Sequence, residues 1–199
     1  MTSVTPPRAR SALVSGVALL LLAGAAACDS GDDIGDSDEG SPSSSHGSDV
    51  PEVETVTTIE HGVGLDPAHQ ARAIEHVTEA IDPWFDEAFL GDFPRSDFSA
   101  AFATFTKGAA ADAQRDLALL SNSGLADQID TATATNRRVR LDVFAPDGRP
   151  RGVTANFVLD FDTTGDVEQH LRVHGSLYLT RVKHSWKVFG YDVDEAAPL

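Results

Sequence analysis

Residues 56–199 predict an α+β domain in which N-terminal helices pack on a curled four-stranded antiparallel sheet. Apolar residues before position 120 recur at spacings of three and four, and from residue 131 the spacing changes to two. Turn-forming residues also separate the alternating runs, as a meander of hairpins requires.

Asp66-Pro67 and Asp82-Pro83 each set an N-cap carboxylate ahead of a proline suited to the first helical position, where a missing N–H costs nothing. Each is expected to open a helix. Between them Ala73, Ile74, Val77, Ala80 and Ile81 form one apolar stripe, with Arg72, Glu75 and Glu79 turned away. Trp84, Phe85, Ala88 and Phe89 resume the stripe after Pro83. A third helix is expected from near Ser96, carrying Phe98, Ala101, Phe102 and Phe105. A fourth is expected over 109–120, ahead of the stop at Ser121-Asn122-Ser123-Gly124, with Gly108 separating or kinking the two.

Val139, Leu141 and Val143 alternate with Arg138, Arg140 and Asp142, which predicts a strand half-buried on one face. After the Pro146-Asp147-Gly148 turn, Val153, Ala155, Phe157, Leu159 and Phe161 predict a second. A turn at Thr163-Thr164-Gly165-Asp166 leads to Leu171, Val173, Leu177 and Leu179 on a third. A short turn near Lys183-His184 then leads to a last strand over 186–193.

The region before residue 56 divides in two. Arg8 and Arg10 precede an uncharged run from Ser11 to Ala27 that includes Leu19–Leu22 and ends in small residues, the order of a secretory signal peptide over residues 1–27. At 17 residues the run falls short of the ~20 that span hydrocarbon, which favours cleavage over retention. Ala25-Ala26-Ala27-Cys28 resembles the lipobox of bacterial lipoproteins, departing from it at Ala25, where the family usually has leucine. The resemblance implies lipidation of Cys28, the chain's single cysteine, and anchoring on the extracytoplasmic face of the cell membrane. Two or three acyl chains give the durable attachment that one does not.

Residues 28–55 are expected to be a disordered linker: positions 29–55 hold nine Asp or Glu, no Lys or Arg and few large apolar residues. As a flexible coil the segment would span roughly 30 Å. The chain's net charge of −16 argues against a nucleic-acid partner, because phosphate binding needs clustered Lys and Arg.

Helices followed by a long meander, closing on His184-Ser185-Trp186-Lys187-Val188-Phe189-Gly190-Tyr191-Asp192-Val193, resemble the NTF2-like (cystatin-like) superfamily and especially the extracytoplasmic domains of actinobacterial Mce-associated envelope proteins. The resemblance rests on element order and the Trp-containing last strand. It implies an envelope protein as partner and a homodimer formed through the outer sheet face. It implies no single activity, since this fold hosts enzymes, binders and scaffolds alike.

Catalytic chemistry has little to stand on. Phosphate-loop, dinucleotide and nucleophile-elbow motifs are missing from the sequence, and no cofactor is expected. His170 and His174 are ~13 Å apart at strand rise, too far for one ion. Asp160-Phe161-Asp162-Thr163-Thr164-Gly165 opens like a calcium loop but reaches Leu171 where a bidentate Glu belongs, so it reads as a hairpin and no metal is expected. NTF2-like enzymes move protons with a pocket Asp, His or Tyr, for which Asp142, His174 and Tyr178 are the residues at hand. The remaining site is apolar. Leu141, Val143, Phe157, Leu159, Val173 and Leu177 on the inner sheet face, under Trp84, Phe98 and Phe102, would line a pocket for a hydrophobic small molecule or lipid if they do not simply fill it. A non-catalytic protein-interaction domain is therefore the leading expectation, with a hydrophobic-ligand carrier and a proton-transfer enzyme as alternatives.

Overall fold

A computed structural model describes residues 52–199. The expected signal peptide (1–27), Cys28 and the linker up to residue 51 lie outside the described residues. Within them, no helix is long and apolar enough to cross a membrane.

The domain is α+β, with two α-helices against one face of a large, open, curled sheet of seven strands. The four meander strands are β3 (Ile129–Phe144), β4 (Gly152–Gly165), β5 (His170–Val182) and β6 (Ser185–Val193), each antiparallel to the next. Three more strands correct the expected four. β1 (Val56–His61) lies parallel to β3, β2 (Gly91–Asp92) pairs with the start of β3, and β7 (Ala197–Pro198) pairs with β5 beyond the end of β6. β1 escapes a periodicity reading because it offers only Val56 and Ile59 as large apolar residues, directly after an acidic segment.

Helix α1 (Pro67–Phe89) begins as its sequence suggests, with the Asp66 carboxylate accepting the His69 N–H at 2.9 Å and Pro67 in the first turn. It then runs straight through Pro83, so Asp82 does not cap a second helix. Ile81 on one side of Pro83 and Trp84, Phe85, Ala88 and Phe89 on the other are all fully buried against the sheet. That burial outweighs the ~3 kcal/mol cost of a proline in a helix interior. Asp82 instead accepts the Thr55 hydroxyl at 2.6 Å, and burial pushes its carboxyl pKa up.

The expected third helix is only a turn of 3-10 helix at Ser99–Phe102, and the fourth is shorter and earlier than expected. This helix, α2 (Lys107–Arg115), is capped by the Thr106 hydroxyl, and Gly108 lies inside it. The reason is a contact that no local pattern reports. Thr104–Thr106 runs beside β6, with Thr106 N–H donating to the Val188 carbonyl at 2.7 Å and Val188 N–H to the Thr104 carbonyl at 3.1 Å. Extended backbone there interrupts the helix while leaving Phe98, Phe102 and Phe105 in the core.

All nine expected pocket residues lie in one hydrophobic core between α1 and the sheet, none more than 8% exposed. Trp84 stands at its centre, with Phe157 edge-on at 5.1 Å and Phe85 and Phe89 at 5.3 and 5.4 Å between ring centroids. These side chains pack against one another as one core, and Phe157 also lies along a groove of the sheet. A bulge in β3 between Ala134 and Asn136 sets Arg137 under the same helix. Its guanidinium meets Asp86 at 2.7 Å and lies over the Phe85 ring.

Candidate functional site

The polar face of the sheet carries a groove of about 670 Å³. Side chains alternate across a strand, so the registers that bury Val139, Phe157 and Val173 turn Arg138, Val158 and His174 outward. Arg138, Val158 and His174 form one cross-strand row, continued by Asp194, whose N–H donates to the His174 carbonyl at 3.0 Å. The neighbouring row is Thr58, Arg140, Asn156, Ser176 and Asp192. The groove lies over these two rows.

Beside the groove, β5 and β6 come unusually close. Gly175 has φ 155, and a Cβ built there would lie 2.8 Å from the Val193 Cα and closer still to the Asp192 carbonyl oxygen. Only glycine lets β5 and β6 approach this closely beside the groove.

Hydrogen-bonded pairs brace both flanks. On one, Ser176 Oγ donates to Asn156 Oδ1 at 2.8 Å, Asn156 Nδ2 donates to Asp142 Oδ2 at 3.0 Å, and Asp142 Oδ1 lies 2.6 Å from His61 Nδ1. On the other, Arg172 grips Asp160 through Nε at 2.6 Å and Nη2 at 2.9 Å, while Asn136 donates to the same carboxylate at 3.0 Å. The Arg172 hydrogen bond outweighs burial and holds the Asp160 carboxyl below the usual range. The partial calcium motif is thus spent on cross-strand pairs, Asp160 with Arg172 and Asp162 with His170.

Between the flanks the charges divide by side. Arg138 and Arg140 project from β3, and Asp192 and Asp194 from the β6 side. Arg138 has no carboxylate within ion-pair distance among the described residues, whereas Arg140 has Glu60 at 3.7 Å and Asp194 has His174 at 3.0 Å. The groove therefore offers an anion-binding wall facing a cation-binding wall over a floor of amide, hydroxyl and valine.

The three residues considered for proton transfer are all on this outer face, but the registers keep them apart. Asp142 and Tyr178 flank Thr154 in one row, and His174 lies two rows away on Asp194. Tyr178 packs beside the exposed Phe189, ring centroids 6.3 Å apart. Asp142 has a different histidine as its partner. The hydrogen bond and charge of its carboxylate raise the pKa of His61, a residue 81 positions away in sequence. Sequence reading missed both this pair and the groove. Outward residues of a half-buried strand look merely solvated, and the available signal was the uneven sign of their charges, basic on β3 and acidic at the end of β6 and just beyond it. Comparisons with protein-family models, with characterised proteins and with solved structures find no match to this chain.

Proposed function

We propose that the chain is a lipid-anchored extracytoplasmic protein whose NTF2-like domain, without catalysis of its own, holds a protein of the cell envelope in the groove of its outer sheet face. The observation that carries this reading is the contrast between the two faces. The helix-covered face is filled by its own side chains, and the outer face is concave, half-open and lined by charges of both signs. The partner is a polypeptide surface with an acidic group opposite Arg138 and Arg140 and a basic group opposite Asp192 and Asp194. Such complementarity sets orientation and association rate more than raw affinity. The lipobox-like Ala25-Ala26-Ala27-Cys28 supports the membrane address.

A photo-crosslinking side chain in place of Ser176, introduced into the full chain in intact cells, should yield one discrete adduct. The double reversal Arg138→Glu with Arg140→Glu should reduce that adduct at least tenfold while leaving the melting temperature within a few degrees. An adduct of twice the chain mass would mean a homodimer instead, and an adduct indifferent to the reversal would sink the groove as the docking face. Mass analysis of the same membranes should find a mature chain beginning at acylated Cys28; an unmodified thiol there would remove the anchor.

A further inference from the structure

We infer that the exposed β1–β3 edge carries a divalent transition-metal site, of the kind that takes zinc, formed by Glu60, His61 and Asp142. The parallel ladder keeps register from Val56 opposite Arg138 to Ile59 opposite Leu141 and then slips, so that His61 takes the place opposite Asp142. In an unbroken strand Glu60 and His61 would point to opposite faces. The extra residue of the bulge re-aims one of them, and both donors come to the face that Asp142 occupies.

Each of the three residues offers one ligand atom, and these atoms lie within 4.8 Å of one another. Metal bonds of ~2.0–2.2 Å at tetrahedral angles separate neighbouring ligand atoms by about 3.4 Å, a spacing that small side-chain rotations reach from this arrangement. One imidazole nitrogen with two carboxylate oxygens is a borderline donor set, suited to zinc and its neighbours and unlike the all-oxygen shell that calcium takes. The adjustment falls to His61, whose side chain is 76% exposed, while that of Asp142 is 39% exposed.

Asp142 is also oriented from behind. Its Oδ2 accepts the Asn156 amide at 3.0 Å, and Asn156 is itself fixed by Ser176 at 2.8 Å, which leaves Oδ1 to face His61. Outer partners of this kind hold a ligating carboxylate in place. Arg140 lies 3.7 Å from Glu60, near enough to share its charge but exposed and free to swing away. Three protein ligands leave a coordination position open to solvent. The site adjoins the groove through Asn156 and Arg140 but does not need a docked partner.

Calorimetric titration of the full-length mature chain, first stripped with a chelator, tests it with zinc chloride as probe. One equivalent should bind at micromolar affinity or tighter. His61→Ala should weaken binding more than a hundredfold and Asn156→Ala about 10–100-fold, with His184→Ala unchanged and melting temperature confirming that each variant is folded. Cobalt in place of zinc should give a visible absorption band that His61→Ala removes. Zinc binding that is equally strong in His61→Ala would assign it to scattered carboxylates elsewhere and overturn the site, as would no binding below millimolar zinc.

Discussion

Replacing Trp84 with alanine should cost the domain about 3–5 kcal/mol, as for large aromatic truncations in packed cores, about a fifth or more of an ordinary domain's stability of ~5–15 kcal/mol. Trp84 is 0% exposed and stands among Phe85, Phe89, Phe105 and Phe157, so its removal opens a void bordered by four aromatic rings. A second loss adds to the first. The indole N–H donates to the Leu120 carbonyl at 3.2 Å, and without it that buried acceptor is unpaired, at ~1–3 kcal/mol. Trp84→Phe separates the two contributions by keeping a ring and deleting the donor, and should lie between wild type and alanine. Urea unfolding reads the effect as a lower midpoint. A midpoint in Trp84→Ala within error of wild type would mean that the aromatic cluster does not hold the helix to the sheet.

Gly175→Ala should be comparably damaging for a different reason. Its added methyl meets the backbone of Asp192 and Val193, which cannot rotate aside as a side chain would, in a conformation that L-residues rarely adopt. β5 and β6 must part locally, at a cost of about 3 kcal/mol or more, and the groove flattens with them. Gly190→Ala on the neighbouring strand is the control. There the nearest atom is the Tyr178 ring at 3.4 Å, which has room to give, so the change should be small. Equal melting temperatures for the two variants would show that the sheet's curl does not depend on the close approach at Gly175.

Hydrophobic period carried the sequence reading a long way and then stopped for identifiable reasons. Alternation at Val139–Val143, 153–161 and 171–179 fixed which face of each meander strand is inside, and the structure buries those residues. The Asp66-Pro67 start of α1 was equally plain, because a cap acts on its own first turn. Asp82-Pro83 carries the same local signal and means something else, since burial on both sides of Pro83 carries the helix through it. The outer groove and the Glu60, His61 and Asp142 cluster depend on curvature, on a bulge, and on a parallel pairing between residues 81 positions apart. Period two says which residues face outward. It carries no information about which outward residues meet.

β1 is where the N-terminal segment joins the domain, and this placement has a mechanical consequence. Any pull transmitted along that segment arrives at Thr55, whose hydroxyl is tied to Asp82 on α1, and passes into an edge strand whose one strand partner among the described residues is β3. Tension directed along the strand loads the β1–β3 hydrogen bonds together and is resisted in shear. Tension across the sheet peels them one at a time, so β1 would strip away under much smaller force while the antiparallel meander behind it stayed intact.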